Sequence, residues 1–267
     1  EMFNKITKGG LVNKSLNVAL AGTGVGKSLF MCHVAASFLA QGLNVLYITL
    51  EMAEERIAER IDANLLDVSM DDLHDMPKSL YEDKITKIKD KTKGQLIIKE
   101  YPTASAHSGH FRSLLNELSL KKSFKPQVLF IDYLNICSSS RFKGGNISSY
   151  FYIKAIAEEL RGLAVEFDMP IFSATQTTRT GFVSTDIGLE DTSESFGLPA
   201  TADFMFALMS NEELEQLGQM KVKQLKNRYN DPSLHRSFII GVDRAKMKLY
   251  DVENNAQNIV DKGPEPK

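Results

Sequence analysis

Residues 16–42 read LNVALAGTGVGKSLFMCHVAASFLAQG, and the fold follows from how that stretch divides. The apolar run 16–21 stops abruptly at glycines, the pattern of a buried strand. From residue 26 to 41 the period changes. Leu29, Val34, Ala35 and Phe38 fall on one face of a helix, and Gly42 suits its end. Between strand and helix lie residues 21–28, AGTGVGKS.

Outward from this unit the same alternation continues. Strands are expected at 44–51, 94–101, 126–136 and 170–176, and helices at 53–66, 106–121 and 150–167. A polar segment at 71–93 carries a helical stripe of Leu80, Ile85 and Ile88. Residues 138–149 and 177–198 are loops by composition. The last third gives strands at about 203–209, 220–228, 236–244 and 247–252, without a convincing long helix. Alternating strands and helices imply a mostly parallel twisted sheet flanked by helices. The helix-poor end implies antiparallel strands added at the C-terminal edge.

Composition narrows the function classes. Of 267 residues, 43% are apolar and 25% charged, the balance expected of a soluble globular protein. No run approaches the ~20 apolar residues of a membrane span. Cys32 and Cys137 sit in apolar runs and form no CxxC, so a reducing cytoplasm is the expected compartment. The net charge of −2 speaks against a general nucleic-acid coat, so any such contact must be local. The chain opens on Glu1 rather than Met and is expected to be a fragment or processed product. Residues 1–7 then read as a linker stub, and the polar residues 254–267 as a flexible tail.

Residues 21–28 match the P-loop pattern with alanine at its first position. Gly22, Gly24 and Gly26 let backbone N–H groups turn inward as an anion nest, completed by Thr23 and Val25. Lys27 is placed to reach β- and γ-phosphates, and Ser28 to hold Mg²⁺. The helix that continues through Leu29 adds its dipole. A nucleotide such as ATP is the implied ligand, contacted by Ala21 to Leu29.

Polar residues at other strand ends join this loop, because ligands of open α/β sheets lie outside the carboxyl ends of the strands. Asp132 ends VLFID and is placed to bind Mg²⁺. Glu51 ends NVLYITLE and is placed to activate water, although a solvated glutamate at a helix start has the same sequence signature. Gln176 ends PIFSATQ and is placed either to sense a γ-phosphate or simply to open a loop.

These strand ends together resemble the RecA-like P-loop NTPase core of the DnaB-like replicative helicases, especially their T-even phage branch. The resemblance rests on the alanine-led P-loop, Leu50-Glu51-Met52, Ile131-Asp132-Tyr133-Leu134, Thr175-Gln176 and the opening ITKGGL at 6–11. It covers about residues 5 to 245, so 8–253 is expected to be one motor domain. The resemblance implies a homohexameric ring that hydrolyses nucleotide at subunit interfaces and moves along single-stranded DNA. It implies that Glu51 is the catalytic base and that Gln176 couples phosphate to DNA. Lys226-Asn227-Arg228 matches the family's KxR element, with Arg228 as a finger given to the neighbouring subunit. Without the resemblance, Lys226 and Arg228 read as a solvated edge strand. Primase and a helicase loader are the family's partners, but the collar domain that carries those contacts has no counterpart in this sequence.

DNA contact is expected from the two long loops. Arg141, Lys143, Gly144, Gly145 and Asn146 lie in the first, and Arg179 in the second. Arg179 is the only basic residue of 177–198, unlike the arginine-rich loop of bacterial relatives. No aromatic stacking platform is evident, which favours backbone tracking. The alternatives are a RecA-like recombinase, another ring ATPase without unwinding, a small-molecule phosphotransferase and a nucleotide-sensing module. His107 and His110 read as a helix start rather than as metal ligands.

Overall fold

A computed structural model describes residues 1–142, 147–177, 188–189, 197–253 and 257. Its centre is a nine-stranded sheet in the order β3-β2-β4-β5-β1-β6-β7-β8-β9. Strands β1 (Leu16–Ala21), β2 (Val45–Thr49), β3 (Leu96–Glu100), β4 (Val128–Asp132), β5 (Ile171–Gln176) and β6 (Phe204–Met209) run parallel. Strands β7 (Gln219–Asn227), β8 (Ser237–Asp243) and β9 (Lys248–Asp251) extend it antiparallel, as the helix-poor final third required.

Every residue of β1, β2 and β4 is buried, which explains their continuous apolar runs. Alternation along β1 supplies two cores. Leu16, Val18 and Leu20 pack towards α6 (Ser108–Lys122) and α7 (Ser149–Glu166). The small Ala19 and Ala21 face α2 (Lys27–Ala40) and α3 (Glu54–Leu66), letting those helices approach closely. On that second face Phe30, Phe172 and Phe206 form an aromatic cluster, joined by Phe3.

Three elements differ from the sequence reading. The segment 71–93 breaks into α4 (Met70–Asp75) and α5 (Lys78–Thr92), because Pro77 stands extended between them. The strand expected over 126–136 leaves the sheet after Asp132. A 3₁₀ turn, Leu134–Ile136, then carries Asn135 back to accept a hydrogen bond from the Thr175 hydroxyl at 2.7 Å. The strand expected to reach Glu51 stops at Thr49. Short helices α1 (Met2–Thr7), α8 (Gly197–Thr201) and α9 (Glu212–Gln216) complete the described elements. In α1, within the expected linker stub, Ile6 is fully buried. Among the described residues no helix is long and apolar enough to cross a membrane.

Candidate active site

The P-loop leaves β1 at buried Ala21 and enters α2 at Lys27. Gly24 and Gly26 hold φ values of 78° and 125°, which side-chain-bearing residues rarely adopt. A Cβ on Gly26 would also lie 3.3 Å from the Met220 side chain. The first turn of α2 has neither an acidic residue nor a side-chain cap, so its N–H groups and dipole face the loop.

Lys27 is buried, and desolvation holds its ammonium below the usual lysine range while Asp132 and Glu51 act in the opposite sense. Its Nζ rests 4.8 Å from the centre of the Tyr133 ring, a cation–π contact. Asp132 is 2% exposed at the last position of β4. Burial pushes its carboxyl up, while hydrogen bonds from Tyr47 and Ser28 oppose that shift. Tyr47 donates to Oδ2 at 2.9 Å. Oδ1 is also buried and has no hydrogen-bond partner among the described residues. A buried carboxylate oxygen left unpartnered costs free energy. With the Ser28 hydroxyl beside it, this donor set fits a hard divalent cation such as Mg²⁺.

Glu51 is exposed in the bend after β2, close enough to Lys27 and Asp132 to act on their charge. Gln176 pairs in register with Ala21 on the adjoining strand. The carboxyl ends of the parallel strands thus bring together the P-loop, Glu51, Asp132 and Gln176.

Lys226 and Arg228 lie elsewhere. Lys226 is the next-to-last residue of β7 and Arg228 the first after it; Asn227 between them pairs with Phe204 at the start of β6. That is the amino end of the parallel strands, beside Leu16. Along β1, Leu16 and Ala21 are roughly 17 Å apart at ~3.3 Å per residue. The Lys226 Nζ donates to the carbonyls of Pro199 and Ala200 in α8 at 2.6 and 3.1 Å. Arg228 Nη1 pairs with Asp203 Oδ1 at 2.7 Å.

Of the expected DNA contacts, Lys143, Gly144, Gly145, Asn146 and Arg179 lie outside the described residues. Arg141 is half-exposed, and its Nη1 is 2.5 Å from Glu158 of α7. The chain just before it is fastened to the same helix. Glu159 accepts from the Ser139 hydroxyl at 2.6 Å and from the Ser140 N–H at 3.0 Å. His107 and His110 form a capping box at the start of α6, which explains their spacing.

Sequence reasoning missed Tyr47, Glu158, Glu159, Arg161 and Asp203. Only Tyr47 left a usable signal: a hydroxyl inside an all-buried strand needs a partner, and the adjoining strand ends in an aspartate.

Comparison with known proteins bears on the family and the fold. The family model for the DnaB-like helicase C terminal domain matches residues 1–245. A DnaB-like replicative helicase of Enterobacteria phage T4 is 48% identical over 258 residues, covering 96% of this chain and 54% of that protein. A probable plasmid replicative DNA helicase of Chlamydia psittaci is 31% identical over 166 residues, covering 61% of this chain and 34% of its own length. The chain thus spans about half the length, or less, of these curated relatives. A solved structure of a DnaB-like replicative helicase, described with its interactions with primase, superposes with a TM-score of 0.76. It is 17% identical and covers 94% of this chain and 60% of that one. At that identity the likeness is one of fold.

Proposed function

The chain belongs to the DnaB-like helicase C-terminal domain family, and from that premise we propose that residues 8–253 are the motor of an ATP-dependent replicative DNA helicase. Subunits assemble as a homohexamer, hydrolyse nucleotide between neighbours and draw single-stranded DNA through the ring, separating the duplex.

One observation carries this reading: Lys27, Ser28, Glu51 and Asp132 meet at the mouth of the P-loop, where a buried Asp132 oxygen has no hydrogen-bond partner among the described residues. The N–H groups of residues 22–28 and the Lys27 ammonium bind the β- and γ-phosphates. Ser28 and Asp132 would hold Mg²⁺, which when bound would supply charge neutralisation for the phosphates. Glu51, exposed at the mouth, takes the proton of the attacking water. Gln176, beside the P-loop, reports the γ-phosphate to the loop that follows it.

Arg228 stands at the amino end of its own sheet, so we assign it to the neighbour's nucleotide, with Lys226 supporting it. Arg141 and the loop beyond it contact DNA backbone. Primase and a loader are expected partners of the longer protein, and none is assigned to these residues. The host cytoplasm is the expected compartment.

The test is ATPase rate with and without single-stranded DNA, with native mass measured alongside and strand displacement followed on a forked duplex. DNA-stimulated hydrolysis by hexamers that unwind the fork supports the proposal. Stimulated hydrolysis without unwinding would favour a recombinase-like ring.

A further inference from the structure

Asp203 stands at the start of β6 and is fully buried. Its backbone N–H donates to the Leu16 carbonyl, and its Oδ2 accepts from the Leu16 N–H, both at 2.9 Å. From α7, Arg161 binds the same carboxylate twice: Nε lies 3.0 Å from Oδ2, and Nη2 lies 3.1 Å from Oδ1. These contacts alone satisfy a buried carboxylate and balance its charge. Even so, a second guanidinium is brought to it. Arg228 Nη1 reaches Oδ1 at 2.7 Å, the Arg228 N–H donates to the Asp203 carbonyl at 2.9 Å, and Tyr229 adds a side-chain hydrogen bond.

Two guanidiniums on one carboxylate leave one positive charge in excess. Structural need does not explain that excess, because the first arginine already met it. Arg161 and Arg228 are 35% and 43% exposed, so the excess charge faces outward. Arg228 has five N–H donors, and with Nη1 engaged by Asp203 its side chain is still 43% exposed. A free arginine at a strand end carries ~2 kcal/mol of rotamer entropy. Tethered at both its backbone and its side chain, Arg228 has surrendered much of that freedom before a phosphate arrives.

We propose that Asp203 is a positioning residue: it holds Arg228 at a fixed place on the subunit surface, presented to an anion on a neighbouring subunit, and Arg161 locks the plane of the carboxylate that does so. This rests on the assignment of Arg228 to the neighbour's nucleotide. It extends that assignment by naming what sets the arginine's place. Arg161 also lies within one helical turn of Glu158 and Glu159, which hold the segment around Arg141. The same stretch of α7 therefore touches both the expected DNA loop and the support of Arg228.

The experiment compares Asp203→Asn, Arg161→Gln, Arg228→Ala and Lys27→Ala in ring-forming protein on single-stranded DNA. Asp203→Asn should lower kcat by ~10- to 100-fold, less than the ~10³–10⁵ an arginine finger supplies, with nucleotide KM little changed. Mixed with Lys27→Ala it should regain activity, because its own P-loop is intact and the partner lends a supported Arg228. Mixed with Arg228→Ala it should not, because both lesions lie on the same side of the interface. Arg161→Gln keeps the buried carboxylate and guards against a folding failure of Asp203→Asn; its kcat should fall by several-fold. Wild-type kcat in either variant, or rescue of Asp203→Asn by Arg228→Ala, would overturn the proposal. If Arg228→Ala and Lys27→Ala form mixed oligomers yet fail to rescue each other, and activity falls only in proportion when either is titrated into wild type, the assignment of Arg228 has failed, a result distinct from either.

Discussion

At the carboxyl end of β1 the chain gathers the groups we propose to act on a nucleotide: the P-loop, Lys27, Ser28, and across the sheet Asp132 and Glu51. At its amino end, the backbone of Leu16 is tied to Asp203, which holds Arg161 and Arg228. The first cluster contains an acceptor without a partner among the described residues and a lysine held in a desolvated place. The second is saturated with hydrogen bonds and carries excess positive charge outward. The difference teaches a division of labour. On the proposal above, one end receives phosphate and metal. The other serves phosphate on another molecule, because its own P-loop lies a strand's length away.

The comparison breaks most simply at Lys27. Lys27→Ala should reduce hydrolysis to background, since a charge-assisted phosphate contact worth several kcal/mol amounts to ~10³-fold or more. Turnover near wild type in a steady-state ATPase assay would remove the receiving role from the carboxyl end.

Glu51→Gln sharpens it. The exposed residue touches neither α2 nor the metal ligands by hydrogen bond among the described residues, so nucleotide affinity should hold. Hydrolysis should slow by ~10²-fold or more. Nucleotide binding followed by fluorescence, beside turnover, separates the two. A collapse of affinity would make Glu51 a structural or metal-bound residue.

Tyr47→Phe has a smaller expected effect. Its buried hydroxyl donates to Asp132 Oδ2. Losing a partner of this kind typically weakens a metal site by ~10- to 100-fold. The Mg²⁺ concentration for half-maximal ATPase should rise accordingly, while the rate at saturating Mg²⁺ recovers. An unchanged Mg²⁺ requirement would mean Asp132 needs no orientation from Tyr47.

Arg141→Ala should change least. It should flatten the salt dependence of single-strand binding by up to ~1 unit of slope and spare DNA-free ATPase. An identical slope would leave Arg141 as the partner of Glu158 only.

How far this was legible in the sequence follows the same division. The sheet, its helices and the nucleotide end were readable because period and punctuation coincide there: apolar runs stop at glycines, and acidic or amide residues stand at strand ends. What escaped were contacts across large sequence separations. Asp203 lies 187 residues from Leu16, and its aspartate in TADFMF carries no spacing that announces a second arginine. Glu158 and Glu159 look like an ordinary solvated helix face until the loop is seen folded onto them. Glu51 was read as the last strand residue. The sheet instead ends at Thr49, whose hydroxyl accepts from the Met52 N–H and bends the chain away.

The most direct test of the division is complementation between its two ends. Lys27→Ala and Arg228→Ala should each be nearly inactive, yet each keeps the end that the other lacks. After native mass measurement has shown mixed oligomers, the mixture should regain part of the ATPase rate, because some interfaces then pair an intact P-loop with an intact Arg228. Titrating each mutant into wild type reports how strongly the interfaces depend on one another. Mixed oligomers that stay as inactive as either mutant, with activity falling only in proportion during that titration, would contradict the account and place Arg228 at its own subunit's nucleotide.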